Sequence, residues 1–244
     1  PQKVSGENLK SYWRFSESSG NITNVAGTVA NNDTVGSGAD LANTDITLAQ
    51  SGSPSNFGTN ALFDGSDSIG ETGSGTEALF NFLHDGSDWS VNFWANMNAT
   101  GSNQHILDNK GAAGEDVCGL DIRTRTTAKW YVVGTKCPSG YYVTRAATDN
   151  YIPDTTSFHM YTMTWDNSEE EVAFWRDAAN EETGSGTTGV SGSDAEDTLV
   201  IGGSTSGASL NANICELSVW SRKLSDDDIT ELYNSGDGLV LNDQ

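Results

Sequence analysis

The chain has 34 acidic residues against 12 basic ones, so its most abundant chemistry is that of oxygen ligands and hydrogen-bond acceptors. Asp64 and Asp67, in Phe63-Asp64-Gly65-Ser66-Asp67, can project from one turn. Two carboxylates beside loop carbonyls are hard oxygen donors of the kind Ca2+ takes. The competing role for Asp64 is to cap that turn. There is no D-x-D-x-D-G loop. A second chemistry is that of aromatic faces, which pack against the apolar CH groups of sugars while Asn, Asp and Gln hold the hydroxyls. Period-2 reading sets Trp94 opposite Phe93 and Ala95, Trp175 opposite Phe174, and Trp220 opposite Val219. Each would then stand on a face away from the core, unless a loop or helix covers it. Tyr141 and Tyr142 follow Pro138-Ser139-Gly140 and read as an aromatic pair in a loop.

Cysteine chemistry centres on Cys118 and Cys137. They bracket two strand-like runs, Gly119 to Arg125 and Lys129 to Val133, whose midpoint falls at Thr127-Ala128. Residues symmetric about a hairpin turn face each other, which allows a disulfide; two buried thiols are the alternative. Cys215 reads as a small core residue. With no C-x-x-C pair, a zinc knuckle is not expected.

Nucleophilic and acid–base motifs are missing. There is no G-x-S-x-G elbow, no H-E-x-x-H and no phosphate loop between a strand and a helix. His84, His105 and His159 are far apart in sequence. Glu169-Glu170-Glu171 and Asp226-Asp227-Asp228 read as solvated charge runs. Catalysis is therefore not expected.

The elements that must position these residues are mostly strands. Leu9 to Phe15, Ala61 to Phe63, Trp89 to Met97, His105 to Leu107, Gly119 to Arg125 and Lys129 to Val133 are the first six. Phe158 to Trp165, Val172 to Trp175, Leu199 to Ile201 and Ile214 to Trp220 follow. Trp89, Val91, Phe93, Ala95 and Met97 make one core face, and His159, Tyr161, Met163 and Trp165 share one face of theirs. One helix is expected from Ser225 to Gly236. Ser225 is its N-cap, three Asp lie in its first turn, Ile229, Leu232 and Tyr233 form its apolar stripe, and Gly236 suits a left-handed cap. Asn31 to Gly38 and Glu181 to Gly192 read as low-complexity loops. Many short strands with one helix predict an all-β antiparallel sandwich or barrel, in a single domain over residues 1–244.

Charge excludes some partners. A net charge of −22 argues against nucleic acid, which needs a basic groove. Arg123 and Arg125 are the one close basic pair on a strand, and two charges do not make a groove. No run of 18 apolar residues predicts membrane insertion. The start Pro1-Gln2-Lys3-Val4-Ser5 is polar, so no signal peptide is expected, and a beginning at Pro is consistent with trimming of an initiator Met.

The ordered set of motifs resembles the laminin-G-like domains of the concanavalin A-like lectin/glucanase superfamily. Leu9-Lys10-Ser11-Tyr12-Trp13-Arg14-Phe15 with Glu17-Ser18-Ser19-Gly20 is similar to the family's opening strand and turn. Asn60-Ala61-Leu62-Phe63-Asp64-Gly65-Ser66, Asp88-Trp89-Ser90-Val91-Asn92-Phe93-Trp94 and Phe158 to Asp166 resemble three of its inner strands. Leu199-Val200-Ile201-Gly202 and Cys215 to Ser225, running on to Leu232-Tyr233, resemble its closing motifs. The resemblance implies a jelly-roll of two antiparallel sheets. It also implies a structural Ca2+ in some members, which adds Glu216 to Asp64 and Asp67 as a candidate ligand. Cys215 stands where the family often has Asp. The glucanase branch carries E-x-D-x-E on one strand face, and this chain has none.

These readings predict a non-catalytic adhesion module, extracellular or on a virion surface, that binds a surface glycan or a partner protein. Its candidate sugar contacts are Trp94, Trp175, Trp220, Tyr141 and Tyr142. The alternative is a structural decoration or spacer protein held by virion structural proteins or by further copies of itself; a polysaccharide-degrading enzyme ranks third.

Overall fold

The computed structural model describes residues 4–100, 103–111, 117–125, 129–135, 140–146, 152, 154–187, 193–204 and 210–241. Its strands begin with β1 (Leu9–Trp13), β2 (Ala42–Thr44), β3 (Thr47–Gln50), β4 (Asn60–Asp64), β5 (Ile69–Glu71), β6 (Trp89–Met97) and β7 (His105–Asp108). Then come β8 (Gly119–Arg125), β9 (Lys129–Thr135), β10 (Tyr141–Ala146), β11 (His159–Asp166), β12 (Glu171–Arg176) and β13 (Ala179–Ser185). The series closes with β14 (Val200–Ile201), β15 (Asn211–Trp220) and the helix α1 (Asp226–Tyr233).

The strands form two antiparallel sheets. An eight-stranded sheet runs β13-β12-β11-β6-β15-β4-β3, with β1 also on β15; a seven-stranded sheet runs β10-β9-β8-β7-β14-β5-β2. This is the jelly-roll sandwich that the family resemblance implied, and it decides the sandwich-or-barrel choice that strand alternation left open. Period 2 sends Trp89, Val91, Phe93, Ala95 and Met97 inward from β6 and Tyr161, Met163 and Trp165 inward from β11. They meet Leu120, Ile122, Trp130 and Val132 of the other sheet. Phe93 and Trp130 touch edge to face across the gap, 5.5 Å between centroids.

The long strand β15 is flanked by β4 along its first half and by β1 along its second. Between them the register with β6 shifts after Cys215, and Glu216 takes a left-handed φ of 53°. Such a bulge re-aims a side chain.

A second apolar cluster lies on the outer side of the eight-stranded sheet. Leu9, Tyr12, Trp94, Met160, Trp175, Cys215 and Trp220 are covered there by Val4, Val29, Phe57, Ile229 and Leu232. The helix sits on this face because its stripe of Ile229 and Leu232 needs an apolar surface. Ser225 and Asp228 form a reciprocal capping box at its start. It stops at Tyr233; Asn234 is the left-handed C-cap, and Gly236 also takes a positive φ, 97°, in the turn that follows.

Two expected loops contain strands. Tyr141 and Tyr142 open β10, and Glu181 to Ser185 belong to β13. β13 is an exposed edge strand, so it needs no apolar alternation, the signal that reveals the others.

Candidate functional site

The outward face of the seven-stranded sheet carries a constellation that motif searching does not find. On β8, Leu120 and Ile122 point into the core, so Asp121, Arg123 and Arg125 point out. On β9, Trp130 and Val132 point in, so Tyr131 and Lys129 point out. Arg123 lies opposite Tyr131, and Arg125 opposite Lys129. On β7 a register shift between His105 and Leu107 lets two residues three apart share this face. His105 lies opposite Arg123 and Asp108 opposite Asp121.

The inner part of this cluster is buried and charged. His105, Asp108, Lys110 and Asp121 are each less than a tenth exposed. His105 Nδ1 is 2.8 Å from Asp121 Oδ1, in ion-pair range but without hydrogen-bond alignment. Arg123 Nη1 donates to Asp121 Oδ2 at 2.9 Å. Asp108 Oδ1 accepts the backbone N–H groups of Lys110 and Gly111 at 2.8 and 3.2 Å. Burial first, and the Asp121 carboxylate second, push Asp108 up to about 7. Burial lowers the Lys110 ammonium despite Asp108 and Asp121 nearby. The Nδ2 of Asn109 and the Nε of Arg123 are buried without a hydrogen-bond partner.

The outer part is aromatic and cationic. The guanidinium of Arg125 lies 4.1 Å from the centroid of Tyr131, and that of Arg123 lies 5.3 Å from the same ring. Tyr131 is buried beside both, whereas Arg125 is exposed. The result is a layered support: Asp121 holds Arg123, and Arg123 and Arg125 flank Tyr131. Chemically, the arrangement offers a fixed cationic fork above a buried pair of opposed carboxyl groups, one straddling its proton near neutral pH.

The residues expected from sequence are placed elsewhere. Trp94, Trp175 and Trp220 do lie on the non-core face of their sheet, but that face is covered. Trp94 stacks on Tyr233 at 5.7 Å and meets Phe57 edge-on at 5.6 Å. Trp220 is fully buried, its Nε1 donating to Ser218 Oγ at 3.0 Å. The expectation of open ring faces is therefore corrected: a third layer, built from the N-terminal segment, Phe57 and α1, buries them. Tyr142 is also core, its hydroxyl donating to the Leu83 carbonyl and accepting from Trp89 Nε1. Tyr141 is half-buried at the start of β10.

The three candidate calcium ligands do not converge. Asp64 Oδ1 accepts from Ser66 N and Oγ at 2.9 and 2.8 Å and from Ser68 Oγ at 3.1 Å, so it caps its turn. These bonds lower its pKa. Asp67 shares Ser66 Oγ at 3.0 Å. Glu216 is buried and takes hydrogen bonds from the Tyr12 hydroxyl and, at 3.2 Å, from Arg14 Nε. Asp64 pairs with Asn211, five residues along β15 from Glu216, which is roughly 16 Å at strand rise. One cation cannot span that gap, and Glu216 already has a cationic partner. The residues present do not fit a shared Ca2+, and no group of three or more metal-ligating side chains occurs among the described residues.

Cys118 is disulfide-bonded; Cys137, the other half of the expected pair, lies outside the described residues. Cys215 is a buried free thiol. His159 is clamped by Asp177 at 2.6 Å on Nδ1 and Asp154 at 3.3 Å on Nε2. The hydrogen bond to Asp177 raises its pKa.

What sequence reading missed here is the company kept by Arg123 and Arg125. Their alternation on one strand was visible; the approach of His105 and Asp108 depended on the β7 bulge, which leaves no sequence mark.

A laminin-G family model of the concanavalin A-like lectin/glucanases superfamily matches residues 70–230. No curated protein matches significantly. Among solved structures, the botulinum neurotoxin serotype D binding domain is similar with a TM-score of 0.64 at 11% identity, over 95% of this chain and 53% of that one. The serotype D ligand-binding domain in complex with N-acetylneuraminic acid gives 0.60 at 11% identity, over 94% and 51%. The binding domain of paraclostridial mosquitocidal protein 1 gives 0.61 at 11%, over 94% and 52%. The chain thus spans about half the length of these neighbours, and at such identity they show its fold.

Proposed function

The chain belongs to the concanavalin A-like lectin/glucanases superfamily, and from that premise we propose that it is a non-catalytic recognition module that binds carbohydrate outside a cell or on a virion surface. The fold hosts many activities, so the site must carry the argument. The observation that carries it is the layered Asp121–Arg123–Tyr131–Arg125 arrangement on an outward sheet face, ending in an exposed guanidinium. The neighbouring serotype D domain with bound N-acetylneuraminic acid supports a sugar ligand. The disulfide at Cys118 supports an oxidising compartment, and a net charge of −22 supports solubility in salty surroundings. Burial of Asp108 and Asp121 supports binding over hydrolysis, because water and a glycosidic bond must reach both carboxyl groups of a glycosidase.

The test is a glycan array probed with the folded full chain, with and without calcium. Saturable binding to a defined glycan class, weakened by Tyr131→Ala, sustains the proposal. A blank array with a cooperative thermal transition in the same sample sinks it.

One observation favours a second reading. Trp94, Trp175 and Trp220 are used as internal packing, which suits a rigid spacer or virion decoration protein. That reading expects a blank array, together with retention on purified particles or self-association in sedimentation.

A further inference from the structure

We propose that Arg125 is an anion-binding residue and that the ligand of this face is a saccharide bearing a carboxylate or sulfate group; the inference rests on the lectin reading and sharpens it. Arg123, Arg125 and Lys129 account for three of the twelve Lys and Arg of the chain. The β8–β9 register sets all three with Tyr131 on one face of a single hairpin. A protein of net charge −22 has thereby gathered a local cationic patch.

The patch is built. Asp121, buried, fixes Arg123 at 2.9 Å, and Arg123 and Arg125 flank the buried Tyr131. Among the described residues Arg125 makes no ion pair, and its guanidinium packs on the Tyr131 ring. Stacking covers a flat side of a guanidinium and leaves its N–H edge outward, the geometry that takes a carboxylate or sulfate through two parallel hydrogen bonds.

Charge range selects the kind of ligand. The Debye length is about 8 Å at physiological salt, so a ligand with one or two acid groups feels mainly the hairpin. A nucleic acid or a polyacidic peptide extends past the patch and meets the surrounding negative field. A short saccharide with a single carboxylate or sulfate on a ring presents an isolated charge with neutral hydroxyls around it.

The experiment is calorimetric titration of the full chain at 150 mM NaCl with two charged probes and their neutral counterparts. The probes are digalacturonate with its carboxyl-reduced form, and a monosulfated galactose disaccharide with its desulfated form. The expected result is that a charged probe binds at least about ten-fold tighter than its neutral form. That advantage disappears in Arg125→Gln, is partly kept in Arg125→Lys, and persists in Lys223→Gln, which removes the same charge elsewhere. The arm that responds identifies carboxylate or sulfate. Equal binding of charged and neutral forms overturns the inference and leaves the lectin reading standing. Equal competition by polyaspartate or single-stranded DNA overturns it in favour of a general anion site. No binding by any sugar, with the fold confirmed by thermal melting, overturns both.

Discussion

Trp94 of β6 and Tyr233 of α1 are stacked nearly parallel, 9° between planes, across the outer side of the eight-stranded sheet. This one contact turns a residue that alternation places on the non-core face into packing for the helix. Trp94→Ala should therefore cost about 3–5 kcal/mol of stability, as core aromatic truncations do, and leave sugar affinity per folded molecule unchanged. Tyr233→Ala should cost less, about 1–2 kcal/mol, because the ring is only half buried. Denaturant unfolding gives the stabilities. Selective loss of binding in Trp94→Ala at full stability would contradict the assignment.

Asp108 gives a pH signature. Its folded pKa, about 7, lies above the ordinary value near 3.9. Between those values the folded state binds more protons than the unfolded one, so this group makes stability fall as pH rises from about 4 to 7. Asp108→Asn keeps an oxygen for the Lys110 and Gly111 amides and removes the charge. The variant should melt higher than the parent at pH 8 and show a flatter profile from pH 4 to 7. A parallel profile would refute the buried proton.

His159 titrates with a further slope on the alkaline side. Its raised pKa means that the stabilisation from Asp177 and Asp154 is fully present below the ordinary value near 6.5 and is lost as pH rises through the folded value. Asp154, partly exposed and held at about 2 by the Thr156 amide and His159, loses its own share only in strong acid. His159→Gln should remove the slope above pH 6.5 while leaving the acid limb near pH 2–4 largely in place, read from melting temperature against pH.

Glu216 tests the calcium expectation directly. Its carboxylate satisfies the Tyr12 hydroxyl and Arg14 at the bulge joining β1 to β15. Glu216→Ala should cost about 1–3 kcal/mol, chiefly by leaving the buried Tyr12 hydroxyl without its acceptor, since the partly exposed Arg14 can turn to water. Chelating calcium from the parent protein should reproduce none of that loss. An equal loss on chelation would restore Glu216 as a ligand.

Reduction should also register. The Cys118 disulfide should contribute about 2–4 kcal/mol, so dithiothreitol should lower the denaturation midpoint without changing the far-ultraviolet spectrum of the folded protein. An unchanged midpoint would show the bond to be energetically idle.

The fold was legible where residues alternate between two environments. β6, β8, β9, β11 and β15 each bury one side in the core, so their apolar period appears in the sequence. The capping box at Ser225 and Asp228 is local and was equally visible at its Ser. β10 and β13 were not legible. The first follows Pro138-Ser139-Gly140, which reads as a loop, and the second is a polar edge strand.

By itself, then, the sequence determined an all-β chain of short strands, the helix start and the inward face of its main strands, because those depend on period and on neighbours within a few residues; the two-sheet jelly-roll was implied by the ordered family motifs. It also put Asp121, Arg123 and Arg125 on one side of β8. Only the tertiary structure decided what each outward face meets. A helix and loops distant in sequence cover Trp94, Trp175 and Trp220, while a one-residue bulge in β7 brings His105 and Asp108 beside Asp121. Burial by remote segments and slips in register are properties of packing between elements, and no local pattern encodes them.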